Sequence, residues 1–279
     1  YGTWYVREIE QPDGFVLDDT IYPVTIGADG QVVEIEIVNK YVRGNIHLTK
    51  VDSEYPDNKL TGATFEVYKD SNANGKLDDG DELLGTLTEK EKGEYSMNDL
   101  FYGRYFVKET KAPEGFVLDT GVYEVMIDTN GKTYEVENKA GVGFVNDAMR
   151  GNLKIVKTSS DGKVKGFAFR ITGANGYDII LETNDKGEIF IDELRIGDYT
   201  ISEVSNSASS MYVLPADKKA TVKLGSTTIV EMHNVLRDTP KTGDTTNLPL
   251  LYALAGLSAV GIAVCGVIGF KKKKKEDRN

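Results

Sequence analysis

The sequence predicts an all-β protein that consists of tandem β-sandwiches followed by a single C-terminal transmembrane helix. Three observations predict this fold class: short stretches of alternating apolar and polar residues, turn-forming dipeptides between them, and one uncharged apolar run near the C-terminus. Alternation with a period of two is typical of half-buried strands, and many short strands separated by turns are typical of sandwiches. The turn dipeptides include Asp29-Gly30, Asn130-Gly131, Asp161-Gly162 and Lys186-Gly187.

The composition of the 279-residue chain excludes several classes of function. The formal net charge is −11, and the last nine residues, 271–279, hold six basic and two acidic side chains, so the rest of the chain is more acidic still. An acidic body repels phosphate backbones, so we expect no nucleic-acid partner. A single cysteine, Cys265, excludes an internal disulfide, and two histidines are too few for a histidine-based metal cluster or a conventional nucleophilic triad. We therefore expect a protein that is not an enzyme and requires no cofactor.

The alternating segments belong to internal repeats. Residues 2–8 match 103–109 and 197–203, and residues 44–50 match 151–157. The chain thus contains two complete copies of one unit after a truncated copy, which indicates the C-terminal part of a longer protein. The predicted boundaries are 1–43 for the truncated first copy, 44–140 for the second copy, 141–150 for a linker and 151–237 for the third copy.

Each copy places the same polar residues on an apolar strand face. Because side chains alternate between the two faces of a strand, Lys50 shares a face with Ile46 and Leu48, and Lys157 shares one with Leu153 and Ile155. A Glu and an Asn occupy core-facing positions of later strands at similar spacing in every copy. These residues are Glu8, Glu109 and Glu203, and Asn39, Asn138 and Asn234.

A buried amine and carboxyl group must be paired or neutral, and this leaves two interpretations. The first is a structural ion pair beside an Asn. In the second, desolvation lowers the Lys pKa and raises the Glu pKa until both groups are neutral. The amine then attacks the Asn side-chain carbonyl while the Glu carries protons, which releases ammonia and leaves a Lys–Asn isopeptide bond.

These residues carry a family resemblance. Residues 50–52, 60–65, 105–116 and 136–139 resemble a collagen-adhesin B-type (Cna B) domain, although residues 205–207 replace its usual Ala-Pro-Glu-Gly segment in the third copy. The resemblance implies a prealbumin-like sandwich in which a first-strand Lys is bonded to a last-strand Asn with help from a Glu. The implied sets are Lys50, Glu109 and Asn138; Lys157, Glu203 and Asn234; and Glu8 and Asn39 with a Lys upstream of Tyr1.

The second copy also contains an acidic loop with the spacing of a calcium-binding loop. Oxygen donors recur at alternating positions, Gly75 occupies the tight turn, and Lys76 offers a main-chain carbonyl. The candidate ligands are Asp70, Asn72, Asn74, Lys76, Asp78, Asp81 and Glu82. No helical pattern flanks the loop, so we expect a structural Ca²⁺ rather than an EF-hand; an Asn- and Gly-rich turn without metal is the alternative.

The C-terminal segment predicts attachment to the cell envelope. Residues 248–270 carry no charge and, as a helix, are long enough to cross a bilayer core of about 30 Å. The basic tail 271–279 stays on the cytoplasmic side. Within 238–247, the motif Thr239-Pro240-Lys241-Thr242-Gly243 precedes this span. Motif, span and tail resemble the LPXTG sorting signal of Gram-positive surface proteins, with Thr239 in place of Leu. The resemblance implies that a sortase cuts after Thr242 and joins it to peptidoglycan or a pilin.

The combined features predict an extracellular, cell-wall-anchored stalk of an adhesin or a minor pilin. Its expected partners are a sortase, peptidoglycan or a pilin through a covalent bond, the membrane before sorting, and a host ligand bound by upstream regions. One alternative is a polymerising pilus backbone subunit, although Tyr22-Pro23 is followed by Val24 and not by the Lys of a pilin motif. Another is the stalk of a surface enzyme whose catalytic domain lies upstream.

Overall fold

A computed structural model describes residues 1–238, nearly all of which lie in strands, turns and short loops. Within these residues the single helical element is the 3-10 turn Ala174–Gly176. Across the same residues, no helix has the length and apolar character needed to span a membrane. The all-β prediction is therefore confirmed, whereas the sorting motif 239–243, the predicted span 248–270 and the tail 271–279 lie outside the described residues.

The first copy forms two small sheets. Its strands are β1 (Gly2–Val6), β2 (Phe15–Val16), β3 (Tyr22–Ile26) and β4 (Lys40–Tyr41). β1 pairs with β3 and β2 pairs with β4, both antiparallel. The side chain of Trp4 on β1 is 60% exposed, whereas Tyr105, at the equivalent position of the second copy, is buried.

The second copy is a sandwich of two sheets. Its strands are β5 (Arg43–Asp52), β6 (Thr64–Lys69), β7 (Glu82–Thr86), β8 (Thr88–Glu91), β9 (Glu94–Phe101), β10 (Gly103–Lys111), β11 (Val122–Ile127), β12 (Thr133–Glu135) and β13 (Phe144–Asn146). One sheet has the order β11-β10-β6-β7, and the other has β12-β5-β9-β8, with β13 also on β5. The inward residues of both sheets, such as Ile46, Phe65 and Val107, form one apolar core.

The last strand of the second copy is interrupted. β12 and β13 both run parallel to β5, and residues 137–142 leave the sheet between them around a turn that joins Lys139 and Gly143. The predicted linker 141–150 thus contains one strand of the second copy, because β13 pairs with β5 and Phe144 is buried in the core of that copy.

The third copy repeats the sandwich with an unbroken last strand. Its strands are β14 (Arg150–Ser159), β15 (Ala168–Thr172), β16 (Asp178–Glu182), β17 (Glu188–Arg195), β18 (Gly197–Val204), β19 (Tyr212–Val213), β20 (Lys218–Val222) and β21 (Thr227–Leu236). The sheets have the orders β17-β14-β21-β19 and β16-β15-β18-β20. β21 runs parallel to β14 along its length, so the first and last strands of the copy are neighbours.

Candidate cross-linking sites

The second copy buries a Lys, a Glu and an Asn together in its apolar core. Lys50 lies on β5 and Asn146 on the neighbouring β13, while Glu109 reaches them from β10 in the opposite sheet. Lys50 and Glu109 are fully buried, and Asn146 is 3% exposed. Burial of these groups among Phe and aliphatic side chains is costly, so their mutual arrangement decides how the cost is offset.

The Glu and the Asn are in direct contact. Glu109 Oε2 accepts hydrogen bonds from Asn146 Nδ2 at 2.7 Å and from the Asp119 backbone N–H at 2.8 Å. In the parallel pairing, Phe144 lies beside Lys50 and Asn146 lies beside Asp52. Asn146 is thus two residues further along the same face, within reach of the long Lys side chain. The ammonium Nζ of Lys50 donates to the Phe144 carbonyl at 3.1 Å.

Burial shifts both ionisable groups towards their neutral forms. Burial lowers the pKa of Lys50 to about 8, although the charges of Glu109, Asp119 and Asp52 oppose this shift. Burial also raises the pKa of Glu109, against the effect of its hydrogen bonds. Glu109 Oε1 and Asn146 Oδ1 are buried without a hydrogen-bond partner. A neutral amine is a nucleophile and a protonated carboxyl is an acid, so the site is equipped for attack on the Asn amide.

The third copy repeats this arrangement with Lys157, Glu203 and Asn234, all of them buried. Asn234 Nδ2 donates to Glu203 Oε1 at 2.7 Å. Met232 lies beside Lys157 and Asn234 lies beside Ser159, so the two-residue offset between Lys and Asn is the same. Burial lowers the pKa of Lys157 and raises that of Glu203.

The first copy contains the Glu and the Asn of the same set. Asn39 Nδ2 donates to Glu8 Oε1 at 2.6 Å, and the Asp18 backbone N–H donates to Glu8 Oε2 at 2.7 Å. The second contact matches that between Asp119 and Glu109. Both side chains are half-buried, and residues 1–41 contain no strand equivalent to β5 or β14. The Glu–Asn contact therefore forms without a Lys.

The structure does not bring Asn138 to Glu109. Asn138 is half-buried; its Nδ2 donates to Asp119 Oδ2 at 2.7 Å and its Oδ1 accepts from the Val145 N–H at 2.6 Å. The Glu–Asn contact spans 37 residues in the second copy and 31 in the other two, because of the bulge before β13. Regular spacing favoured Asn138, and the Val-Asn dipeptide shared by Val38-Asn39 and Val145-Asn146 is only a weak signal for Asn146, because the third copy has His233-Asn234.

The acidic loop folds around its own polar side chains. Asp70 accepts hydrogen bonds from the Asn74 and Gly75 N–H groups, and Asp78 accepts from the side-chain amides of Asn72 and Asn74. Asp81 accepts from the N–H groups of Ser71 and Asp78. Five candidate ligands therefore lie close together, and their carboxylate and amide oxygens are the kinds of ligand that Ca²⁺ binds.

Two features of the loop depart from the expected calcium site. Glu82 is exposed on β7 and does not join the converging side chains. In residues 1–238, no three or more His, Cys, Asp or Glu residues are grouped as they would be around a metal ion. The Asn side chains and the Lys76 carbonyl would therefore have to supply much of the coordination.

Comparison with known proteins relates the whole described region to one domain family. The model of the SpaA prealbumin-like fold domain matches residues 1–41, 44–140 and 151–235. The trypsin-resistant surface T6 protein of Streptococcus pyogenes serotype M6 is 28% identical over 184 residues, which cover 64% of this chain and 30% of that protein. The solved structure of the Bacillus anthracis TIE protein is 25% identical, with a TM-score of 0.62, and the match covers 85% of this chain and 42% of that one.

This chain spans less than half the length of either relative. The family model nevertheless matches well over half of this chain, once in each copy, and the sandwiches have the fold that the model describes. The chain therefore belongs to the family of SpaA domains with a prealbumin-like fold.

Proposed function

We propose that this chain is the structural stalk of a Gram-positive adhesin or minor pilin, and that Lys–Asn isopeptide bonds within its domains stiffen it. The observation that carries the proposal is the buried Lys, Glu and Asn set, which recurs in the second and third copies with the same register. The similarity to a streptococcal surface protein supports an extracellular location. The function is structural, and the chemistry is a single self-modification of the second copy and of the third.

The reaction needs only the residues of the site. The lone pair of the Lys50 Nζ attacks Asn146 Cγ, and Glu109 transfers a proton from the amine to the departing amide nitrogen. The Cγ–Nδ2 bond breaks, ammonia leaves, and an amide joins Nζ to Cγ. Glu109 ends in its starting protonation state. Lys157, Glu203 and Asn234 react in the same way.

The position of the bond suits a protein under tension. Lys50 and Asn146 lie near the ends of the first and last strands, so a bond between them carries a pulling force past the sheets enclosed by the loop. By the loop-entropy argument used for disulfides, closing a loop of roughly 80–100 residues stabilises a domain by about 4–5 kcal/mol. A domain without disulfides gains a comparable constraint from this bond.

We also propose that a sortase anchors the chain through Thr239–Gly243, and this rests on the sequence alone. The test is incubation of the full chain with a sortase and an amine nucleophile, followed by mass spectrometry of the products. Cleavage after Thr242 with transfer to the amine is expected. A Thr242→Ala variant that is processed equally well would contradict the proposal.

Intact-mass measurement of the chain tests the isopeptide bonds. The expected deficit is two ammonia molecules, and Lys50→Ala and Lys157→Ala should each restore the mass of one. Asn146→Ala should also restore one, whereas Asn138→Ala serves as the matched control and should restore none. If the chain has its full unmodified mass, no isopeptide bond has formed, and the alternative of sandwiches with buried ion pairs holds instead.

A further inference from the structure

The junction between the second and third copies joins an Arg of one to the first strand of the other. Arg195, at the end of β17, forms a two-pronged ion pair with Asp52 at the end of β5, with Nη1–Oδ2 at 2.6 Å and Nη2–Oδ1 at 2.8 Å. Its Nη2 also donates to Glu54 Oε2 at 2.7 Å, and Arg150 pairs with Glu54 as well. The third copy thus supplies a cation to the second.

Asp52 is part of the surroundings of the cross-linking site. It is fully buried, it follows Lys50 by two residues on the same strand face, and it lies beside Asn146 in the strand register. Its negative charge favours the protonated form of Lys50 and so opposes the effect of burial on that pKa. A charged amine has no lone pair for attack, so an uncompensated Asp52 works against the reaction.

The other carboxylates near Lys50 have partners within the second copy. Glu109 is held by Asn146 and by the Asp119 N–H, and Asp119 accepts from Asn138 and from the Tyr123 hydroxyl. Asp52 accepts the Glu54 N–H locally, but its cationic partner is Arg195. Of the three carboxylates that act on Lys50, Asp52 is the one whose charge is balanced by the next copy.

The third copy provides an internal comparison. Ser159 occupies the position of Asp52, two residues after Lys157 and beside Asn234. No carboxylate at that position has to be neutralised, and the amine of Lys157 faces Glu203 and Asp161 as its nearby acidic groups. The Asp–Arg pair is therefore a feature of one site and not of the fold.

We propose that Arg195 is a positioning residue for bond formation in the second copy: by binding Asp52 it allows the Lys50 amine to become neutral and attack Asn146. This inference rests on the proposed function. It makes the rate of the reaction in the second copy depend on docking of the third, so that the domain closes covalently faster once its neighbour is in place.

Cell-free synthesis of the full chain tests the inference. Samples are quenched at intervals over a range of pH, and mass spectrometry of digests quantifies the Lys50–Asn146 and Lys157–Asn234 peptide pairs. Since each unit of pKa changes the neutral amine fraction tenfold, Arg195→Gln should slow the Lys50 bond by roughly three- to tenfold at neutral pH and shift its pH profile upward. The Lys157 bond should form at the wild-type rate, which also reports that the third copy is folded.

Two further variants separate charge from docking. Asp52→Asn combined with Arg195→Gln should restore the wild-type rate, because the charge that needed a partner is gone. Glu54→Gln, which removes a neighbouring charge but keeps the Asp52–Arg195 pair, should change the rate little. Equal rates and pH profiles for wild type and Arg195→Gln, or a double variant as slow as the single one, overturn the inference alone. Absence of the Lys50–Asn146 product in the wild type overturns the proposed function with it.

Discussion

At the scale of single residues, the recurring unit is a carboxyl group that accepts a hydrogen bond from an Asn side chain. It occurs at Glu8, Glu109 and Glu203, with contact distances of 2.6 to 2.7 Å. The pair forms even in the first copy, where no neighbouring strand carries a Lys. The Glu–Asn contact therefore forms independently of the Lys, and in the proposed reaction the Glu would hold and polarise the Asn amide.

Replacing Glu109 by Gln should abolish the Lys50–Asn146 bond. Gln retains the size of Glu and can still accept from Asn146, but it cannot take up and return a proton. The expected mass deficit falls from two ammonia molecules to one. Glu203→Gln is the matched control: it should remove the bond of the third copy and leave that of the second. A Glu109→Gln chain that still loses two ammonia molecules would contradict the role of the carboxyl group.

A chain that cannot form the bond should reveal the buried amine in its pH dependence. In Asn146→Ala, Lys50 remains an amine with a folded-state pKa of about 8, against 10.5 for an ordinary Lys. The unfolded chain then binds more protons between these values, so stability should rise with pH from about 8 to 10.5, by roughly 3 kcal/mol at most. The proposed isopeptide amide of the wild type would not titrate.

Denaturant unfolding across this pH range measures the effect as the difference between Asn146→Ala and wild type. Adding Lys50→Met removes the amine and should flatten the difference. A persistent slope in the double variant would assign the pH dependence to other groups.

At the scale of elements, the strands that carry Lys50 and Glu109 could be predicted from the sequence, whereas the segment that forms the last strand could not. β5 and β10 show clear alternation with one polar residue in register, and only one position fits each. Residues 134–138 and 144–146 both alternate and both end in Asn, so either could close the domain. The choice depends on long-range pairing with β5, which local patterns do not encode.

Gly143 decides how the second half of the interrupted strand fits against β5. Its φ is +121°, and a Cβ there would lie 2.7 Å from the Thr49 carbonyl oxygen. Gly143→Ala should therefore displace β13, separate Asn146 from Glu109 and reduce the fraction of chains with the Lys50 bond, as measured by mass spectrometry. Gly141→Ala is the control, since Gly141 also has a positive φ but has nothing within 4 Å of a built Cβ. Equal cross-linking in both variants would show that β13 tolerates the displacement.

The acidic loop supports a prediction about metal. We propose that Ca²⁺ binds the side chains of Asp70, Asn72, Asn74, Asp78 and Asp81 and the Lys76 carbonyl. Calcium should then raise the melting temperature of the chain, and chelator should reverse the rise, because the ion binds the folded loop only. Asp70→Asn with Asp81→Asn should abolish the response, whereas Glu82→Gln should preserve it because Glu82 is outside the cluster. No calcium effect on the wild-type melting temperature would favour a metal-free turn.

At the scale of the whole molecule, the same device joins each copy to the next. Between the first and second copies, the Val42 N–H donates to the Gly14 carbonyl, and the Val42 carbonyl accepts from the Tyr102 N–H. Between the second and third copies, the Met149 N–H donates to the Gly115 carbonyl, and the Met149 carbonyl accepts from the Ile196 N–H. Gly14 and Gly115 belong to the repeated Pro-x-Gly-Phe segments, so each segment binds the start of the following copy. In the third copy, Ser205-Asn206-Ser207 replaces this segment.

If these hydrogen bonds set the angle between copies, removing one donor should loosen the stalk. Met149→Pro lacks the N–H that binds Gly115 O, whereas Met149→Ala changes the side chain and keeps both hydrogen bonds. Distances between spin labels on the second and third copies should be narrowly distributed in wild type and Met149→Ala, and broad in Met149→Pro. The Lys157 bond should persist in all three chains as a sign of correct folding. An equally narrow distribution in Met149→Pro would contradict this role of the backbone hydrogen bonds. The angle between the copies would then be set by Arg195, which contacts Asp52, Glu54 and the Tyr55 ring.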